Sequence, residues 1–406
     1  MKTKTPNSLY EYYGALEKLP THAAFSSGEQ LEAYQQQRAA LFQNHLSIPL
    51  RVFQNAHLVE FGPDSGENSL VFGLWGSSLT LVEPNSQAHP EIQRYFERFD
   101  LAGRLDRLVQ TDLQHFTSSS KYDIIDAEGF IYTIQHNKIW ANLFSNILTD
   151  NGLAIISYYE SSGSLFELFF KLIHSRAMSF FDGQDSEAVA AKVFASKWDS
   201  IEHTRTFSSW VMDVLENPFV RLRYFLDAAD LCSSMQQSGL SLYSSWPSYR
   251  DSASIYWHKR PPCEQLTRSR TEMFLARSCL SFAFGRKLLI CEGSERVVTQ
   301  ISNDLHKLIA IVDRTIDESS SALLQEALLL MENLRRVLDS ANLLADSADA
   351  TIEAMQYLDV LAEITGLLIS NDLPRVCEIC NTNEHFLAAW GQPCHYAVFQ
   401  KRTPQQ

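Results

Sequence analysis

The sequence has no run approaching the roughly 20 apolar residues of a membrane span, no cluster of lysine and arginine, and no regular cysteine spacing. Each absence removes a class. Without a basic cluster, and with a net charge of −14 and a pI near 5.3, the chain has no broad face for phosphate backbones, so no nucleic-acid partner is expected. The first residues, MKTKTPNSLYEYY, lack the apolar core of a signal peptide. A cytoplasmic protein without a membrane partner is therefore expected. Seven cysteines, an odd number without a framework, suit free thiols in a reducing compartment. What the chain has is length and apolar content: 406 residues, 45% of them hydrophobic, are enough for two or three domains.

Organisation begins at residues 57 to 85, HLVEFGPDSGENSLVFGLWGSSLTLVEPN. The pattern reads as a strand (57 to 61), a glycine turn (62 to 66), a helix to about Gly76 and a strand (79 to 82) ending in Glu83. A strand, a Gly-containing turn and a helix, then an acid at the next strand tip, make half of a nucleotide-binding βαβ unit. Gly62 allows the sharp turn, and Gly66 allows close approach of a ligand to the backbone. Glu83 stands 21 positions after Gly62, the spacing at which a carboxylate meets ribose hydroxyls. A dinucleotide requires glycine where this turn has Asp64, and Asp64 with Glu60 repels a pyrophosphate. A cationic or zwitterionic ligand meets no such repulsion.

The pattern Glu60-x-Gly62-x-x-x-Gly66 resembles motif I of the class I S-adenosylmethionine-dependent methyltransferases, and Leu81-Val82-Glu83-Pro84-Asn85 resembles the acidic end of their second strand. A third strand, Leu105 to Gln110, ends at Thr111-Asp112-Leu113. The resemblance implies that Asp112 accepts from the adenine amino group; an Asp capping the next turn is the alternative. A fourth strand, Lys121 to Asp126, runs into Ala127-Glu128-Gly129, and a fifth, Leu153 to Tyr158, follows an Asn151-Gly152 turn. The resemblance then implies an α/β, Rossmann-like, seven-stranded and mostly parallel sheet with helices on both faces. It implies S-adenosylmethionine as cofactor, S-adenosylhomocysteine as product, and cofactor contacts from Glu60, Gly62, Pro63, Asp64, Gly66, Glu83, Pro84, Asp112, Leu113, Asp126 and Ala127. The DAEG loop departs from the Asn/Asp-Pro-Pro-aromatic loop of many amine methyltransferases. No metal is expected, because Asp150-Asn151 precedes the fifth strand and so lies at the opposite sheet end from Asp126.

Around this sheet the sequence places helices. Residues 1 to 50 read as an amphipathic helical lid, with Leu31, Tyr34, Ala40, Leu41 and Leu46 apolar, and Tyr10, Tyr12 and Tyr13 either closing over the site or packing a helix onto the core. The core spans 51 to 260, with an aromatic helical cap inserted at about 160 to 223 that carries His174, His203 and Arg205, and a closing hairpin of Leu240 to Trp246 and Ala253 to Lys259. Arg260-Pro261-Pro262 reads as a linker to a mainly helical region, 261 to 406. There the stripes at 322 to 339 and 351 to 369 suggest a helical hairpin, offered as a homodimer contact, a gate or a partner site. Cys377-x-x-Cys380 has a chelate spacing, but the adjacent Cys394-His395 does not form a second knuckle.

The activity expected from the resemblance is methyl transfer to a small-molecule acceptor, an oxygen nucleophile such as a carbohydrate or other hydroxylated metabolite. Glu128, with His136 and Tyr158 behind it, is the candidate base; Glu128 equally suits an adenine-side contact. The alternative is a catalytically silent cofactor-binding protein that uses its helical region for interaction.

Overall fold

A computed structural model describes residues 8–16, 25, 27–135, 137–202, 206–250, 264–290, 295–340, 343–345 and 348–402. Contacts divide these into two compact units: residues 1–158, 228–249 and 395–406 form the first, and 159–227 with 250–394 form the second.

The first unit is built on a seven-stranded sheet: β1 (His57–Phe61), β2 (Ser78–Val82), β3 (Leu105–Val109), β4 (Tyr122–Ala127), β5 (Leu148–Tyr159), β6 (Leu240–Trp246) and β7 (Cys394–Lys401). Their order is β3-β2-β1-β4-β5-β7-β6. Four of the five residues of β1 are buried, as expected of a strand covered on both faces. It pairs in parallel with β2 on one side and β4 on the other. The order therefore reverses between β1 and β4, and the crevice at the carboxyl ends of these strands is where α/β sheets hold ligands. The Asn151-Gly152 pair lies inside β5 rather than before it; Asn151 is left-handed, with φ 64°, and the pairing with β4 shifts register between Tyr122 and Ile124. Asn tolerates that conformation, so the strand kinks without ending.

The sheet closes differently from the hairpin expected of the sequence. Residues 253–259 lie outside the described residues, and β7, at the far end of the chain, pairs antiparallel with β6. Its Ala397, Val398 and Phe399 are fully buried. The helical region therefore lies between the last two strands in sequence instead of following the sheet. The sequence hid this because the eight residues of β7 follow a long helical stretch, with no local signal naming their partner.

The N-terminal segment is likewise part of the sheet unit. Helices α1 (Leu9–Ala15) and α2 (Gly28–Ala40) start at Ser8 and Ser27, whose side chains cap them. Beyond α2, Phe42 and Phe53 pack against Phe72 and Trp75 of the segment after β1, with ring centroids 4.9 to 5.9 Å apart. Phe25, Leu31, Leu46 and Ile48 join the same core. Phe25 and residues 31 to 53 thus supply core to the sheet unit. Of the three tyrosines, Tyr13 is buried and Tyr10 exposed.

The second unit combines the inserted cap with the later helices. Arg221 bonds to Asp313 at 2.7 Å and Asp317 at 2.8 Å, joining the two sequence segments. Lys197, fully buried, donates to the carbonyls of Phe386, Leu387 and Ala389 at 2.6, 3.0 and 2.7 Å and lies 4.1 Å from the Trp390 ring centre. Phe166, Phe169, Phe170 and Trp210 fill this unit's own core, so the aromatic richness of the cap packs helices together. Helices Ser321–Ser340 and Ala348–Ile369 form the expected pair. No helix among the described residues is long and apolar enough to cross a membrane.

Because β7 completes the sheet, a chain ending at residue 260 is expected to lose the cooperative unfolding of the full chain. Circular dichroism melts of both would show it; a cooperative transition in the short chain would contradict this closure.

Candidate active site

The turn after β1 is set by its glycines. Gly62 and Gly66 have φ 65° and 92°, in the region glycine enters without cost. A Cβ would come within 3.0 Å of the Phe130 ring at Gly62 and 3.3 Å of Ile92 at Gly66. Asp64 is also left-handed, at φ 53°, which Asp tolerates. Pro63 is buried and its carbonyl accepts from Gly66 N–H at 2.8 Å. The backbone N–H groups of Asp64 (3.2 Å) and Asn85 (2.7 Å) donate to the Glu83 carboxylate. Glu83 is thus held against the turn, with Pro84 half-buried beside it. Burial pushes the Glu83 carboxyl up to about 7, against the pull of those two N–H groups.

At the switch point, Glu60 of β1 and Asp126 of β4 are register partners. Both are buried. Ser69 donates to Glu60 at 2.5 Å, whereas no described N–H or O–H group donates to either Asp126 oxygen. Burial, and then the charges of Glu128 and Glu60, push Asp126 well above the ordinary carboxyl range. Of the two neighbours, Asp126 therefore holds its proton the more tightly and Glu128 the less. Ala127 is buried between them.

Glu128 is not a free base. Both Nη atoms of Arg38, from α2, donate to it at 2.8 and 2.5 Å, and Tyr396 of β7 donates at 3.0 Å. Burial works against its charge, but the Arg38 guanidinium and these hydrogen bonds outweigh it and lower its carboxyl. Arg38 is itself 6% exposed and stacks over Phe42 and Phe72 at 5.0 and 5.7 Å. Neither Arg38 nor Tyr396 stood out in the sequence. Arg38 had a signal, since it occupies an apolar-stripe position with Leu31, Tyr34 and Leu41; Tyr396 had none.

The remaining candidates fall unevenly. Asp112 accepts from His115 N–H at 2.9 Å, as a turn cap would, and its side chain is 26% exposed; Leu113 beside it is buried. Tyr158, at the carboxyl end of β5, hydrogen-bonds to Tyr249, whose hydroxyl lies 2.7 Å from Nδ1 of His395. All three are buried. Tyr249 and His395 come from distant segments and were not foreseen. His136, His203 and Arg205 lie outside the described residues. His174 is buried in the second unit, 3.4 Å from the Ser186 carbonyl, and burial lowers its imidazole. Among the described residues no group of three or more His, Cys, Asp or Glu stands ready for a metal, and Cys380 is buried, its thiol pushed well up. A cleft of about 400 Å³ lined by Arg51, Trp75 and Arg104 opens at the amino edge, on the far side of the sheet from these acids.

Glu83 predicts a pH effect of definite sign. Its carboxyl rises from 4.5 to about 7 on folding, so the folded state holds a proton that the unfolded chain releases. Its contribution is present below about 4.5 and is lost as pH rises through about 7. The melting temperature of wild type should fall relative to Glu83→Gln between pH 5 and 8. A constant difference across that range would contradict the assignment.

A family model described as a methyltransferase domain matches residues 33–245, just over half of the chain. No curated relative matches. Similar solved structures include StiE O-MT residues 961–1257, with 18% identity and a TM-score of 0.28 over 33% of this chain and 48% of that one. A putative sarcosine dimethylglycine methyltransferase from Galdieria sulphuraria has 9% identity and a TM-score of 0.35 over 92% and 86%. The glycopeptide N-methyltransferase MtfA complexed with sinefungin has 15% identity and a TM-score of 0.27 over 32% and 55%. The chain thus spans about half the length of the first and third, and likenesses this low carry nothing about substrate. With its sheet order, glycine turn and acid-tipped strands, and the family match over residues 33–245, the chain belongs to the methyltransferase-domain family, as a class I S-adenosylmethionine-dependent methyltransferase.

Proposed function

We propose that this chain transfers the methyl group of S-adenosylmethionine to the oxygen of a small hydroxylated acceptor, such as a carbohydrate or related metabolite. The observation that carries the donor side is the row of carboxyls at the carboxyl edge: Glu60, Glu83 and Asp126, all buried, with the Arg38 guanidinium that acts on Glu60 and Asp126 already engaged by Glu128. Carboxyls there suit hydroxyls and a cationic centre and disfavour a pyrophosphate. Glu83 would take the ribose hydroxyls, Gly62 and Gly66 give the backbone clearance, and Asp112 would exchange His115 for the adenine amino group.

When bound, the cofactor supplies an electrophilic methyl group and a thioether leaving group, so the chain needs to align, exclude water and accept a proton. On transfer the sulfur would keep the electron pair of its bond to the methyl group, a carbon–oxygen bond would form, and the acceptor's hydroxyl proton would have to leave. We assign that proton to Tyr158 in preference to Glu128. Glu128 is already engaged by Arg38 and Tyr396 and held below its ordinary range. Tyr158 hydrogen-bonds to Tyr249, whose hydroxyl lies 2.7 Å from His395 Nδ1; with that nitrogen unprotonated, a proton taken at Tyr158 passes along the two hydroxyls and is lodged on the imidazole. An amine acceptor that binds as the free base has less need of such a path, which favours oxygen. The acidic surface, with net charge −14, supports a small-molecule acceptor over a nucleic acid.

An acceptor screen over hydroxylated metabolites that detects S-adenosylhomocysteine tests this reading. With the acceptor it finds, Tyr158→Phe should lower kcat by about 10²- to 10⁴-fold with KM little changed. Cofactor turnover without any methylated acceptor, or unchanged kcat in Tyr158→Phe, would remove the acceptor or the base respectively. Glu83→Ala should abolish detectable S-adenosylhomocysteine binding while the melting transition stays cooperative; unaltered affinity would place the ribose elsewhere.

A further inference from the structure

The reaction makes no use of the cleft at the amino edge of the sheet. It lies wholly within the first unit and measures about 400 Å³. Arg51 enters it from the short turn Leu50–Phe53 ahead of β1, and Arg104 from the turn Ala102–Arg104 ahead of β3. Asp and Glu outnumber Lys and Arg by 48 to 34 in the chain, yet no acid lines this cleft. Two guanidiniums on one cavity repel each other. The carboxyl end of the helix Glu67–Leu74 adjoins them, but such an end brings only about half a negative charge against their two.

The walls are fixed before any ligand arrives. Gly76, at φ 100°, has a carbonyl that accepts from Asn55 N–H at 3.0 Å and from Arg104 Nη1 at 3.1 Å, which ties both turns to the end of that helix. Trp75 is clamped among the rings of Phe42, Phe53 and Phe72. A cavity ordered in advance loses little freedom on binding. Its polar groups lack partners: the side chains of Arg51, Gln54 and Asn55 make no hydrogen bond or ion pair among the described residues. Trp75 is 9% exposed, and its Nε1–H likewise meets no acceptor among them, although a buried indole N–H ordinarily finds one.

We propose that this cleft is a second ligand site, separate from the methyl-transfer site, and that it takes a small phosphate monoester with an apolar or aromatic body. Arg51 and Arg104 take the phosphate, and Gln54 and Asn55 its remaining oxygens. A dianion matches two guanidiniums in charge, and the planar fork of arginine engages two phosphate oxygens at once. A cavity of this size admits one small molecule, so a nucleic-acid strand gains no face from it.

The test is calorimetry on the full chain with phenyl phosphate, and with benzoate and benzyl alcohol as the singly charged and uncharged probes. Phenyl phosphate should bind saturably, benzoate more weakly, and benzyl alcohol without detectable heat. Arg51→Gln is the variant to read first, because Arg51 has no hydrogen bond within the described residues to lose. It should weaken phenyl phosphate about three- to tenfold, between the effect of an exposed ion pair and that of a charge-assisted hydrogen bond. Its melting temperature should stay that of wild type, and its affinity for S-adenosylhomocysteine should stay within about twofold. Arg104→Gln should weaken phenyl phosphate as well. No saturable binding of phenyl phosphate, benzoate bound equally well, or unaltered phenyl phosphate affinity in Arg51→Gln would each overturn the proposal. A parallel loss of phenyl phosphate and S-adenosylhomocysteine in Arg51→Gln would overturn it too, since one shared site or a disturbed fold would then account for both.

Discussion

Carboxyls buried at the tips of parallel strands are the constraint on which this protein's site depends. Glu60, Glu83, Asp126 and Glu128 all stand at the carboxyl edge, and each is out of bulk water. Taking ionised carboxylates out of water is unfavourable unless donors or cations replace the lost hydration. The chain resolves each case differently. Glu83 takes two backbone N–H groups, Glu60 takes the Ser69 hydroxyl and Glu128 takes Arg38 and Tyr396, while burial raises the carboxyls of Glu60, Glu83 and Asp126. Unneutralised acids at such an edge disfavour a pyrophosphate and suit hydroxyls and cations.

That requirement explains features far from the turn. The N-terminal helix carries Arg38 to the β4 loop, and the last strand carries Tyr396 to the same carboxylate. The loop after β4 is tied to β5 by Gly129 N–H, which donates to Ser157 at 2.8 Å. Two remote stretches of sequence thus converge on one carboxyl. Pairing β7 with β6 brings Tyr396 to Glu128 and His395 to Tyr249, and it lets two insertions assemble into a separate helical unit without interrupting the sheet.

The local grammar of this fold was legible in the sequence. The boundaries of β1 and β6, the glycine turn and the acid at Glu83 follow from periodicity, glycine placement and spacing, which act over a few residues. What was not legible depends on distant pairing. No local pattern tells CHYAVFQK that it will lie beside β6, or tells Tyr249 and His395 that they will meet Tyr158. Arg38 was visible as an arginine on an apolar stripe but carried no indication of its partner. The aromatic richness of the insertion was legible as burial, since phenylalanine and tryptophan mark buried positions, but not as packing against helices that come more than a hundred residues later.

The central claim is that the glycine turn and its acids hold S-adenosylmethionine and refuse a phosphate-bearing cofactor. Calorimetry of the wild-type chain with S-adenosylhomocysteine and, separately, with NAD tests it most directly. Saturable binding of S-adenosylhomocysteine with no heat from NAD is the result this account predicts. Saturable NAD binding with no response to S-adenosylhomocysteine would contradict it.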